Sequence, residues 1–300
     1  MDAGHPGSRM RGSQTGSARG RWWLAAGLAA LLAVVAVFTM AGAGQGAPVQ
    51  RVLLQRGLSA ETTTVFGPPD PSLPLVVIDP GHGGFDPGAS APDGRSEKDA
   101  VLAIALALRD ELVARGGIRV ALTRTDDRFI SLRERPALAR RLGADLFLSL
   151  HADSGGAEAN ALGASVYTFA PRASSSEAAR FGERENNSGL PGDNGAGDAA
   201  PAVQDILADL TRRGTRADAA EFKRLLVRES AGELTFRQPP TRSAALIVLA
   251  APDVPSALFE VGFITNAGEA ARLHSPEGQA QIARVTASAI RAYLARRDRS

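Results

Sequence analysis

Two histidines and two glutamates of this 300-residue chain stand where side chains that do chemistry usually stand. Val76-Val77-Ile78-Asp79 has the apolar character of a buried strand and runs into Pro80-Gly81-His82-Gly83-Gly84, a glycine-rich turn that presents His82. Leu146-Phe147-Leu148-Ser149-Leu150 is a second such run and ends in His151. Ala257-Leu258-Phe259 is a third and ends in Glu260, although ionised carboxylates are seldom buried without a partner. Glu97 follows Ser96 at the head of an amphipathic segment, where Ser96-x-x-Asp99 reads as a capping box. Two imidazoles and one carboxylate match a catalytic zinc set, His82, Glu97 and His151, with the fourth position open to water. Zinc lowers the pKa of such a water to about 7. Glu260 is then the base that takes its proton and passes it to a leaving nitrogen. The chemistry implied is metal-assisted hydrolysis of an amide.

Each residue alone also has a plain structural reading. Glu97 complements a helix dipole, and a histidine at a strand end satisfies a structural hydrogen bond. The conjunction argues for a site. Of the four histidines, His5 lies in the N-terminal tail and His274 near a helix cap, and neither is expected to act. The glycine-rich turn does not continue as G-x-G-x-x-G and no P-loop lysine follows, which sets a phosphate cradle aside. A serine triad built on Ser149, His151 and Asp153 is not expected. The absence of cysteine excludes thiolate ligands, disulfides and a cysteine nucleophile.

The four groups can meet only if particular elements carry them. Strands are predicted near residues 75–78, 118–122, 145–150, 164–169 and 257–261. A helix begins at Lys98 with Val101, Ile104, Leu108 and Leu112 on one face and stops at Gly116-Gly117. Further helices are predicted at 132–142, 203–213 and 217–229, and a closing helix starts at Ser275-Pro276-Glu277. This alternation predicts an α/β sheet with helices on its faces. Open α/β sheets bind ligands along the carboxyl edge of their strands. Parallel strands would therefore bring His82, Glu97, His151 and Glu260 together. The pattern fails over residues 172–200, where 182–200 reads as a loop or lid inserted into the domain.

The net charge of +2 and the lack of a basic cluster in the folded part argue against a nucleic-acid partner. Arg9, Arg11, Arg19 and Arg21 precede an uncharged apolar run over residues 22–43, the layout of an export signal. The run approaches the ~20 residues that span a bilayer, so residues 1–43 read as a cleaved signal or as a membrane anchor. Residues 44–74 read as a stiff, proline-containing linker and residues 75–298 as the catalytic domain.

From Leu75 onward the sequence resembles the zinc-dependent N-acetylmuramoyl-L-alanine amidases of bacteria, of the amidase_3 type. The likeness is carried by Val77-Ile78-Asp79-Pro80-Gly81-His82-Gly83-Gly84 with Asp86, Gly88 and Ala89, by Glu97-Lys98-Asp99, by Ser149-Leu150-His151-Ala152-Asp153, and by Phe259-Glu260-Val261-Gly262-Phe263-Ile264-Thr265-Asn266. Leu122-Thr123-Arg124, Leu132-x-Glu134-Arg135 and Arg242-Ser243-Ala244 add to it. The resemblance implies a single α/β domain with a mixed, mostly parallel sheet flanked by helices on both faces; the apolar run before it reads as an N-terminal helix. It implies Zn2+ held by His82, Glu97 and His151, catalysis by Glu260, and substrate binding by Arg242. Peptidoglycan is the implied substrate, and the periplasm or cell envelope the implied location, with inner-membrane attachment if the N-terminal segment is uncleaved. Some members carry a blocking helix after the fourth strand that a LytM-type activator displaces. Residues 172–200 are the matching stretch, but their Gly- and Asn-rich sequence reads as loop rather than stable helix. The linker is too short for the N-terminal β-rich module of many Gram-negative members.

Overall fold

The computed structural model describes residues 63–297, except 157, 159 and 189–204, with the backbone alone at 205–212. The expected N-terminal apolar helix and most of the linker lie outside the described residues. Among the described residues, no helix is long and apolar enough to cross a membrane.

The first half of the domain holds β1 (Val65–Phe66), β2 (Leu75–Pro80), α1 (Glu97–Arg115), β3 (Arg119–Leu122), α2 (Glu134–Leu142), β4 (Leu146–Asp153) and β5 (Ala164–Phe169). The second half holds α3 (Ser176–Asn186), α4 (Asp205–Glu229), β6 (Phe236–Ala244), β7 (Ser256–Phe263), α5 (Ala267–Leu273) and α6 (Pro276–Arg297). All the strands join one sheet in the order β1-β3-β2-β4-β7-β5-β6. β3, β2, β4 and β7 run parallel, β5 turns against β7, and β6 follows β5. The sheet is thus mixed and mostly parallel, as the family resemblance implies.

Side-chain alternation along these strands builds two cores. Val76, Ile78, Leu148 and Phe259 face α1, α4 and α6. Leu75, Val77, Phe147 and Leu258 face the other way, with Phe181 of α3 and Ala139 of α2. By the same alternation Asp79, Ser149, His151 and Glu260 share the second face.

Four local expectations are corrected. The first is the stretch read as loop: α3 forms there because Ser175 caps the Ala178 amide and Phe181 is buried against Tyr167, with ring centroids 4.2 Å apart. Second, the two helices expected at 203–213 and 217–229 are one. Gly214 costs a helix interior about 1 kcal/mol, and burial of Phe222, Leu225 and Leu226 outweighs it. Third, Ser96 is no capping box. Its hydroxyl donates to the Asp99 carboxylate at 2.6 Å and caps no backbone amide, and the Lys98 amide is already taken by the Pro87 carbonyl. Fourth, β6 was hidden by Pro239 and Pro240, which a strand tolerates at a sheet edge, and β1 falls inside the expected linker.

A buried lock sits under the site. Asp79 accepts hydrogen bonds from Thr123 Oγ1 (2.6 Å), Ser149 Oγ (2.7 Å) and Arg135 Nη1 (2.9 Å). Burial opposes its ionisation, but the Arg135 charge and the two hydroxyls hold its carboxyl below the usual range. Arg135 also donates to the carbonyls of Ile130, Pro80 and His82, and Arg124 to those of Pro80, Gly81 and Lys98. Arg135→Ala leaves the Asp79 charge buried without its partner and is expected to cost about 3–5 kcal/mol in urea unfolding. A cost below about 1 kcal/mol, the range of an exposed pair, would contradict the lock.

Candidate active site and metal centre

The turn after β2 is shaped by the side chains around it. His82 takes φ +58, the one non-glycine at positive φ among the described residues, and Arg135 holds its carbonyl at 2.9 Å. A Cβ on Gly81 would lie 2.5 Å from the His151 ring, and one on Gly88 2.5 Å from Glu97 Oε2 and 2.7 Å from His82 Cδ2. These glycines make room for a cluster, not for a phosphate.

His82 Nδ1–H donates to Asp86 Oδ2 at 2.8 Å, which turns Nε2 inward. Glu97 reaches over the carboxyl edge of the sheet from the first turn of α1. Its Oε2 accepts from the Ala89 amide (2.8 Å) and its Oε1 from the Ala152 amide (2.9 Å). Glu97 Oε1 lies 3.2 Å from His82 Nε2 and 3.2 Å from His151 Nδ1. Glu260 pairs in register with His151 across β4 and β7, so its Cα stands about 4.8 Å away on the same face. The structure therefore brings the four residues to one place.

A fifth group, unforeseen in the sequence, joins them. Glu185 in the last turn of α3 puts Oε2 3.4 Å from His151 Nδ1 and 4.0 Å from His82 Nε2. His82, His151 and Glu185 each offer one ligand atom, and these atoms lie within 4.8 Å of one another. The signal for α3 was present in Ser175-Ser176-Glu177, a capping serine with an acid in the first turn. Arg242 stands elsewhere, buried on β6, where Nη1 donates to Glu177 Oε2 at 2.8 Å.

His82 Nε2, His151 Nδ1, Glu185 Oε2 and both Glu260 oxygens are buried without a hydrogen-bond partner. Such orphans are costly unless something else satisfies them. Two nitrogens and a carboxylate oxygen aimed at one point fit a divalent cation. The charges agree. Burial, then the negative charges of Asp153, Glu185 and Glu97, push the Glu260 carboxyl well above its ordinary value. Burial disfavours charge on His82, but Glu97 and then Asp86 overcome it and hold that imidazole well above its usual value. Asp153 is pushed up to about 6 by burial, against the opposing charge of Arg184. Excess negative charge surrounds this point, as a cation site requires.

The Amidase_3 family, described as N-acetylmuramoyl-L-alanine amidase, matches residues 76–292. The chain belongs to this family. AmiA of Salmonella typhimurium is 38% identical over 221 residues, covering 73% of this chain and 76% of that protein. AmiA of Escherichia coli is 37% identical with the same coverage, 73% and 76%. Among solved structures, AmiC2 of Nostoc punctiforme shares 29% identity at a TM-score of 0.52, covering 74% of this chain and 97% of that one. The catalytic domain of CwlV from Bacillus (Paenibacillus) polymyxa var. colistinus shares 28% identity at 0.51, covering 74% and 99%. The resemblance read from the motifs is thus borne out, as is the fold. Within this amidase domain, the cluster capable of holding a metal lies at the carboxyl edge of the central strands, where open α/β sheets place their ligands.

Proposed function

We propose that the chain is a zinc amidase that cleaves the bond between N-acetylmuramic acid and L-alanine in peptidoglycan, releasing stem peptides during wall remodelling or daughter-cell separation. The observation that carries this is the convergence of unpartnered His82 Nε2 and His151 Nδ1 on Glu97, beside buried Glu260, in an Amidase_3 chain. His82, Glu97 and His151 would hold the ion. When bound, zinc polarises the scissile carbonyl and acidifies water. Asp86 fixes the His82 ring, and the Ala89 and Ala152 amides fix the Glu97 carboxylate. Glu260 takes the proton of the attacking water and returns it to the leaving nitrogen. The chain acts in the cell envelope, with residues 1–43 as export signal or anchor.

A second reading, a zinc peptidase or deacetylase on other wall amides, uses the same residues. Digestion of purified sacculi with mass analysis of the products separates them. Intact stem peptides released with the glycan left whole support the amidase. Released acetate or cut peptides sink it.

Glu185 Oε2, 3.4 Å from His151 Nδ1 and 4.0 Å from His82 Nε2, would compete with water for an ion held there, and on this reading α3 closes the site. Arg184, bonded to Asp153 at 2.5 Å, helps hold α3 in place, and a LytM-type activator is the partner that would displace the helix. Glu185→Ala removes one charged contact of α3, an interaction of about 1.5–3 kcal/mol. We expect basal release of stem peptides to rise about 10-fold or more as the open population grows. An unchanged or lower basal rate would show that Glu185 does not block.

A further inference from the structure

We infer that Arg237 and Arg242 form a carboxylate-binding subsite for the stem peptide, which α3 fills with Glu177 in the closed form; this rests on the amidase reading above. Arg242 is 4% exposed, and its Nε is buried without a hydrogen-bond partner. Among the described residues, its ion pairs are with Glu177 alone. Arg237 donates to the other oxygen of the same carboxylate, and its guanidinium lies over the Phe263 ring, 5.0 Å from the centroid. Two guanidinium groups thus each donate to one oxygen of the same carboxylate, charge-assisted contacts that suit a carboxylate ligand.

The strand is built for this. Residues five apart in a regular strand point to opposite faces. The β5–β6 register, however, jumps from Ala164↔Phe236 to Val166↔Thr241, and the extra residues bring Arg237 and Arg242 onto one anion. A cavity of about 520 Å³ lies between this point and α3, lined by Asp153, Tyr167, Arg237 and Phe263 on the sheet side and by Glu177 and Phe181 of α3, whose departure would widen it. It borders the site, because Asp153 ends the strand that carries His151.

Glu177 belongs to the helix that must leave before Glu185 clears the metal ligands. Departure of α3 leaves both guanidinium groups without this anion, and a carboxylate of the substrate can take its place. Glu177 and Glu185 are eight residues apart on α3, about 12 Å along its axis. An extended peptide covers ~12 Å in three to four residues at ~3.3–3.6 Å each. The subsite thus takes a carboxylate on the third or fourth stem residue counted from the scissile amide.

The test uses the full zinc-loaded chain carrying Glu177→Ala and Glu185→Ala, so that the site is open throughout. Two probes are compared, an N-acetylmuramoyl tetrapeptide with free carboxylates and the same compound with them amidated. Adding Arg237→Ala, at a partly exposed position, should raise KM for the free-carboxylate probe about 10–100-fold with kcat nearly unchanged. KM for the amidated probe should not move, and Arg242→Lys should give a smaller loss, on the free-carboxylate probe only. Equal changes on both probes, or none, overturn the subsite. Calorimetric binding of the free stem tetrapeptide, with and without Arg237→Ala, decides the matter without turnover. Binding weakened by the substitution supports the subsite. Absent or unaffected binding overturns it, whereas an open chain that binds the peptide yet hydrolyses neither probe overturns the amidase reading instead.

Discussion

Glu260→Gln lowers the rate of stem-peptide release by about 10²–10⁴-fold and leaves the zinc content at the parent level. The substitution keeps the volume and planarity of the side chain and removes only its capacity to carry a proton. Glu260 is suited to that task because neither of its oxygens is committed to a hydrogen bond and its carboxyl is held well above the usual range by burial and by Asp153. A base that works near neutral pH needs its pKa moved toward the working pH, and burial does this. The loss should fall on kcat and on kcat/KM alike, since proton transfer belongs to the transition state and not to substrate binding. Glu260→Gln activity within threefold of the parent would place the base elsewhere. Loss of zinc together with activity would make Glu260 a ligand, and the assignment of roles would change.

Removal of the metal should have an effect of similar size. Dialysis against a strong chelator is expected to reduce stem-peptide release to background, and added zinc to restore it. The expectation follows from the donor set. His82 Nε2 and His151 Nδ1 have no hydrogen-bond partner, while Glu97 Oε1, already receiving the Ala152 amide, sits 3.2 Å from both. His151→Ala should lower zinc affinity sharply and abolish activity even at saturating metal. Asp86→Ala should act more mildly, about 10–100-fold in metal affinity, because it orients a ligand without being one. Full activity in the chelated protein would mean that the cluster serves structure alone, and the hydrolytic mechanism would have to be abandoned.

Both expectations rest on residues legible in the sequence. Apolar runs that end in His82, His151 and Glu260 signal strands delivering polar groups to one edge, and local burial preference is enough to reveal them. The family motifs around them name the chemistry. Helix α1 was equally plain from Val101, Ile104, Leu108 and Leu112, all fully buried on one face.

Other features came from contacts that no local pattern encodes. The stretch bearing Glu185 looks like loop by composition. It becomes helix because Phe181 stacks on Tyr167 and Arg184 reaches Asp153, both distant in the chain. The lock of Asp79 by Arg135 joins residues 56 apart, so two buried charges that appear unexplained in sequence satisfy each other in space. Arg237 and Arg242 sit at a spacing that a regular strand would divide between two faces, and only the irregular register of β6 against β5 unites them on Glu177. Periodicity reports which side of an element is dry, because burial acts on each residue where it stands. Which charges come to face each other depends on register, strand direction and helix docking, and those are settled only when the whole domain packs.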